Sequence, residues 1–484
     1  MNMRERYGSM LLSLSALTIT MLLLAACAQV KLAAVPPGEV TEAQIGTATA
    51  LEKRFHSVLY YPNEIALNFP GYIVGVEKSP RETITPEGQV AFSPVYAELS
   101  AGLRHDADRL KTNRKLLFIS HIMKDYGREY GAGNCALYDI YTDVNGKSLM
   151  PAQACIEGSL RGPPQMAVFS YGWKALATLR AAMEHDIDDA SKRGAPYTHV
   201  FIMVMGWNTY QSEAIRNFSS IVGNAVLASN GAFRPLFIGL TWPSRWSDSA
   251  LINLFSFCDK KNDADELGLS WLGALLKEVA VPLSRAKGLR VVVTGHSFGA
   301  RATSMAACAG AVLARPAGTP AIGQGGAQGG AQGGGQGGNQ GGRGGVDLLI
   351  GLQGAYAINR ITGRWTPDGA YFPKGCDAVQ HLVLTASKND KAVSSEIFAD
   401  YTGELGTYDK ICADNSTRFS CGAADAKGNI GLNPLPQAAR AYIDASQLIT
   451  YNAFDSGGGA HSDIYRRETG ELLWNLILRY APPR

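Results

Sequence analysis

Short, wholly apolar runs alternate with segments of helical period from about Tyr171 to the end of the chain. Over Tyr171 to Arg193, Trp173, Leu176, Leu179, Ala182, Met183 and Ile187 fall on one face and charges on the other, the spacing of an amphipathic helix. His199 to Met205 is a continuous apolar run closed by Gly206, as expected of a strand buried on both faces. A helix is predicted over 211–228, then a strand over 236–242 stopped by Pro243. A mostly helical stretch follows over 267–287, which Pro282 should end or kink. Next come a buried strand over 289–294 and an Ala-rich helix over 301–313. Strands over 346–352, 381–385 and 448–454 and a last helix over 464–480 complete the pattern. It predicts an α/β fold, with a mainly parallel sheet and helices on both faces. Right-handed crossovers then bring the C-terminal ends of the strands to one edge, where α/β proteins place their sites.

Residues 51–165 are less periodic. Strands over 116–122 and 136–141 are expected to form a hairpin at an antiparallel edge of the sheet. The pattern leaves open whether this N-terminal region is a separate domain or the first strands of the domain spanning 166–484. Within that domain, residues 316–345 form an insertion. Its core, Gly323 to Gly345, holds 14 of the chain's 54 glycines, two alanines and a single charge, Arg343. Such a stretch has nothing to bury against its ordering entropy, so it is expected to be a mobile surface insertion, a partner-binding arm being the alternative. Residues 401–440 are loop-rich and could form a cap over the sheet edge. Lys plus Arg number 45 and Asp plus Glu 42. That near-balance excludes the clustered basic excess of a nucleic-acid binder.

The N-terminus carries Arg4 and Arg6, an apolar run over 11–24, and then Leu24-Ala25-Ala26-Cys27. A basic start, a short apolar core and small residues describe a secretory signal. The final tetrad resembles the lipobox of bacterial lipoproteins, which implies residues 1–27 as the signal, lipidation at Cys27 and attachment to the membrane through that lipid. Ala28 follows it rather than Asp, which in that class implies sorting to the outer membrane of the cell envelope. Residues 28–50 read as a tether. Seven cysteines remain beyond Cys27. An oxidising compartment permits disulfides, with Cys412–Cys421 and Cys135–Cys155 as the expected pairs and Cys308, among alanines, as the candidate free thiol. No Cys/His cluster has metal spacing, so no metal and no cofactor are implied.

The chemistry is expected at Gly295-His296-Ser297-Phe298-Gly299, which follows a buried strand directly and opens a small-residue helix. A G-x-S-x-G in that setting is a nucleophile elbow, a tight turn that exposes the serine hydroxyl at the sheet edge. The hydroxyl needs a base, and the base needs an orienting partner. His461 alone among the histidines follows the last predicted strand, in a glycine-rich loop at the correct edge. Asp390 follows the strand ending at Thr385 and is the leading acid, with Asp455 and Asp463 as rivals.

The resulting order Ser, Asp, His over residues 171–484 resembles the α/β-hydrolase superfamily. Met205-Gly206-Trp207-Asn208-Thr209 and Trp242-Pro243-Ser244 further resemble a bacterial branch of uncertain function with an HG-aromatic-N-T segment and a WPS strand end. The chain departs from that branch at Met205, where the family carries His. The resemblance implies the α/β-hydrolase fold and an oxyanion hole built from the N–H groups of Trp207 and Phe298, although Trp207 also fits as a core aromatic. The expected activity is that of a serine hydrolase acting on carboxylic esters or other acyl substrates. An acyltransferase or peptidase, or a catalytically silent binding lipoprotein, are the alternatives. The apolar stretch over 246–263 could line one wall of the site or simply pack.

Overall fold

The computed structural model describes residues 67–78, 91–92, 101–112, 116–127, 133–140, 153–156, 158–160, 168–244, 250–315, 322, 345–362, 372, 376–392, 400–414, 418–431, 439–451 and 459–484. The signal segment with Cys27, the tether, Asp455 and all of Gly323 to Gly345 except its last glycine lie outside them.

Fourteen strands are described: β1 Gly71–Lys78, β2 Ala91–Phe92, β3 Leu117–Asp125, β4 Asn134–Asp139, β5 Gln153–Ala154, β6 His199–Val204, β7 Pro235–Thr241, β8 Arg290–His296, β9 Leu313–Ala314, β10 Val346–Leu352, β11 Val379–Ala386, β12 Ser420–Ala424, β13 Ile430–Gly431 and β14 Arg440–Asp444. Twelve make one sheet in the order β13-β12-β14-β11-β10-β8-β6-β7-β1-β3-β4-β5, while β2 pairs with β9. Every pairing from β12 across to β1 is parallel. β3 runs antiparallel to both β1 and β4, so the expected hairpin exists and belongs to the same sheet as the later strands. The protein thus has a mixed, mostly parallel α/β architecture.

The strands read as continuous apolar runs because both of their faces are covered. Alternate residues of β6 enter two different cores: Val200, Ile202 and Val204 one, Phe201 and Met203 the other. The first core takes Trp173, Leu176 and Leu179 from helix Val168–Lys192, together with Leu272, Leu275 and Leu283 from the helical stretch before β8. The second takes Phe218, Ile221 and Val222 from helix Gln211–Ala228 and Leu473, Leu476 and Ile477 from helix Arg467–Tyr480. By length and apolarity Asp259–Lys287 could cross a bilayer, but 78% of its apolar window is buried in the protein, as in a core helix.

Several expectations are corrected. The last parallel strand described is β14; of the strand expected over 448–454, residues 448–451 are described and form a loop in which Leu448 and Ile449 are buried, which explains their apolar signal. Pro282 does not end its helix. It sits in the first turn of Val281–Lys287, directly after the π-helical turn Leu275–Ala280, and the helix closes at Gly288 in the left-handed conformation. The Ala-rich helix begins earlier, as Phe298–Ser304, and widens into a π turn over Met305–Ala309. The described residues of 401–440 do not form a cap. They supply helix Leu405–Ala413 and strands β12 and β13, which extend one margin of the sheet.

Cys135–Cys155 and Cys412–Cys421 are bonded as expected. Cys308 is not free; it pairs with Cys376, 68 residues away, with Cα atoms 4.5 Å apart. By count, Cys258 is then the odd cysteine after Cys27, and its side chain lies outside the description.

Candidate active site

The order of the parallel strands reverses at β6, whose successor β7 lies on one side while β8 lies on the other. A reversal of this kind opens a crevice beyond the strand ends, because the two connections leave in opposite directions. Ser297 stands at that point, between β8 and helix Phe298–Ser304, with φ 56° and ψ −123°. A non-glycine residue held there costs about 1–3 kcal/mol, so neighbouring bonds must enforce it. They are the Ser297 N–H to the Leu352 carbonyl at 3.1 Å and the Ala355 N–H to the Ser297 carbonyl at 3.2 Å.

The Gly206 turn after β6 closes on the serine. A Cβ at Gly206 would lie 2.6 Å from Ser297 Cβ and 3.1 Å from its Oγ, so only glycine lets the turn approach this far. The turn is pinned on both sides of Trp207 by the residues that follow β7. The Trp242 indole donates to the Met205 carbonyl at 2.9 Å. The Asn208 N–H donates to the Ser244 carbonyl at 3.0 Å, and the Ser244 hydroxyl bonds the Thr209 N–H and carbonyl at 3.1 and 2.8 Å. Asn208 takes a left-handed φ of 63°, which Asn tolerates better than most residues. The two tryptophan-containing motifs are therefore halves of one clamp that fixes the Trp207 loop beside Ser297. Phe257 packs its ring on both Trp207 and Phe298, at 5.5 and 4.8 Å between centroids. At this residue the 246–263 stretch packs against the Trp207 loop and the start of the helix after Ser297. Phe298 opens its helix, so its N–H has no intrahelical acceptor.

Asp390 and His461 meet although 71 residues separate them. His461 Nδ1–H donates to Asp390 Oδ2 at 2.7 Å, and Asp390 is buried. Asp390 Oδ1 accepts the Ala392 N–H at 3.0 Å, and the Ala460 N–H bonds the Asn389 carbonyl at 2.8 Å, tying the two loops together. The rival Asp463 is spent elsewhere: it caps the N–H groups of Thr450 and Tyr451 and pairs with Arg466. The aspartate fixes the His461 tautomer, leaving Nε2 as the acceptor. The rings of His296 and His461 lie 4.7 Å apart, which brings the histidine within one residue of Ser297. Among the described residues no hydrogen bond joins Ser297 Oγ and His461 Nε2.

No family model, curated protein or solved structure matches the chain. The functional reading therefore rests on the geometry.

Sequence reasoning missed the charged network behind the helix that follows Ser297. Asp265 receives two bidentate guanidinium groups, Arg301 at 2.8 and 2.6 Å and Arg360 at 3.0 and 3.2 Å. Burial opposes the charge on Asp265, but the two arginines overcome it and hold the carboxyl at about 2. Arg301 is one turn beyond Ser297, so this pairing anchors the helix that follows Ser297 to the segment after β10. Nearby, Lys78 pairs with Asp263 and Glu266 at 2.5 and 3.2 Å. These groups border a cavity of about 240 Å³ that includes neither Ser297 nor His461. The only signal in the sequence was an unusual density of charges, at 259–266, in an otherwise apolar stretch.

Proposed function

We propose that the protein is a serine hydrolase of the α/β-hydrolase type that cleaves carboxylic esters through an acyl-enzyme. The observation that carries this reading is the strained Ser297 at a strand–turn–helix junction, with an Asp390–His461 pair delivered to the same edge. Ser297 Oγ would attack the ester carbonyl while His461 Nε2 takes its proton. His461 would then return the proton to the departing alkoxide, and water would release the acid by the same route. Asp390 orients the imidazole and stabilises it while charged. The N–H groups of Trp207 and Phe298 would hold the oxyanion, a role supported by the clamp on the Trp207 loop and the helix-opening position of Phe298. Three disulfides support an extracytoplasmic location, in keeping with lipid attachment through Cys27 in the cell envelope.

The purified protein should be labelled by a fluorophosphonate and should turn over short-chain p-nitrophenyl esters. In Ser297→Ala labelling should vanish and kcat should fall by about four to six orders of magnitude. Equal labelling of both proteins would refute the assignment. Product analysis with alternative amine and alcohol acceptors separates hydrolysis from acyl transfer, which would share the acyl-enzyme.

A further inference from the structure

We infer that His296 is a positioning residue that sets the distance between Ser297 and His461 by holding the His461 backbone. The inference rests on the reading of Ser297, His461 and Asp390 as a triad. His296 ends β8 immediately before the nucleophile, and only 4% of its surface is exposed. Its Nε2–H donates to the His461 carbonyl at 2.9 Å, across 165 residues of sequence. The two rings lie 4.7 Å apart with their planes tilted by 40°.

Among the described residues the loop carrying His461 is also tied to the Asp390 loop, by the Asn389 carbonyl on the Ala460 N–H, the bridge between Asp390 and Gly459, and Asp390 on the His461 ring, and to residues 450–451 through Asp463. None of these connects the base to the strand that carries the nucleophile. The His296 bond does so directly, so the placement of Nε2 relative to Oγ does not depend on the long chain between them. Positioning of this kind matters because a displacement of about 1 Å between reacting groups can cost about 100-fold in rate. The role also requires a ring that stays neutral, since a charge this close would oppose formation of the His461 imidazolium. Burial, reinforced by the neighbouring His461, lowers the His296 pKa to about 3 and meets that requirement.

The test compares His296→Leu, His296→Phe and His296→Gln in the full-length protein. The Gln amide nitrogen can stand where Nε2 stands, Phe keeps a ring without the donor, and Leu keeps neither. Leu and Phe are expected to slow fluorophosphonate labelling and lower kcat by about 10- to 100-fold with KM within about twofold, and Gln to recover most of both. Thermal melts identify the variants that fold; Phe, nearest to His in shape, decides if Leu does not. Labelling of Phe or Leu at the wild-type rate would overturn the inference, as would equal impairment of Phe and Gln. A wild-type protein that takes no probe would instead bring down the Ser297 assignment and this inference with it.

Discussion

Gly299→Ala should leave no folded protein. A Cβ on Gly299 would stand 2.1 Å from the Val204 carbonyl oxygen, 2.7 Å from its carbon and 2.9 Å from the Met205 oxygen. All three are backbone atoms of β6 and its exit, so no side chain can rotate out of the way. The helix bearing Arg301 would have to lift off the sheet, breaking the Ser297 turn and straining the buried Asp265 pairing together. The same close approach is seen from the other side at Gly295, where an added Cβ would meet the Gly299 carbonyl at 2.4 Å and Ala300 Cα at 2.5 Å. The expected result is insoluble expression or loss of the cooperative unfolding transition. A soluble Gly299→Ala protein melting with the wild type would refute the packing argument. Gly406→Ala is the control: nothing lies within 4 Å of that added Cβ on helix Leu405–Ala413, so the change should be neutral or stabilise by up to about 1 kcal/mol.

Mild acid should remove a large part of the protein's stability through its buried histidines. Burial lowers three histidines from 6.5, His121 and His296 to about 3 and His199 to about 4. Each is bonded in its neutral form: His121 Nε2 accepts from Gln211 at 2.7 Å, and His199 Nε2–H donates to the Ala481 carbonyl at 2.8 Å. A depressed folded-state value means that the unfolded chain takes up protons first. Stability is therefore complete above the unfolded value of 6.5 and is lost as pH falls toward the folded values. From about pH 7.5 to about pH 5.5, linkage gives about 1.4 kcal/mol for each histidine and about 4 kcal/mol for the three. Domains of this kind are stable by about 5–15 kcal/mol, so the loss is large. Asp106, Asp259, Glu266 and Glu404 are raised by burial and act in the opposite sense. Urea unfolding at the two pH values measures the difference, and a change below about 1 kcal/mol would contradict it.

The parallel strands were readable wherever burial on both faces left a continuous apolar run, as in β6, β8, β10 and β11. β14 was not, because Arg440-Ala-Tyr-Ile-Asp444 has only three apolar residues, while Leu448 and Ile449 gave an equally apolar signal from a buried loop. Ser297, Asp390 and His461 could be ranked from the sequence because strand order places loops at edges, and position relative to a strand is a local property. What could not be read was pairing at a distance. Nothing near Cys308 points to Cys376, nothing near Asp265 to Arg360, and nothing near His296 to His461. The Trp242-Pro243-Ser244 segment stood out as a motif, but its work on the Trp207 loop appears only when β6 and β7 lie side by side.

The Cys308–Cys376 bond encloses the whole of Gly323 to Gly345, with Ser297 on one side of the crosslink and the Asp390–His461 pair on the other. A peptide bond cut anywhere in that glycine tract would sever the backbone without parting the two halves of the site. Such a nicked chain would migrate as one species without reductant and as two fragments with it. The crosslink thus makes the continuity of the polypeptide through this tract dispensable for holding the molecule together.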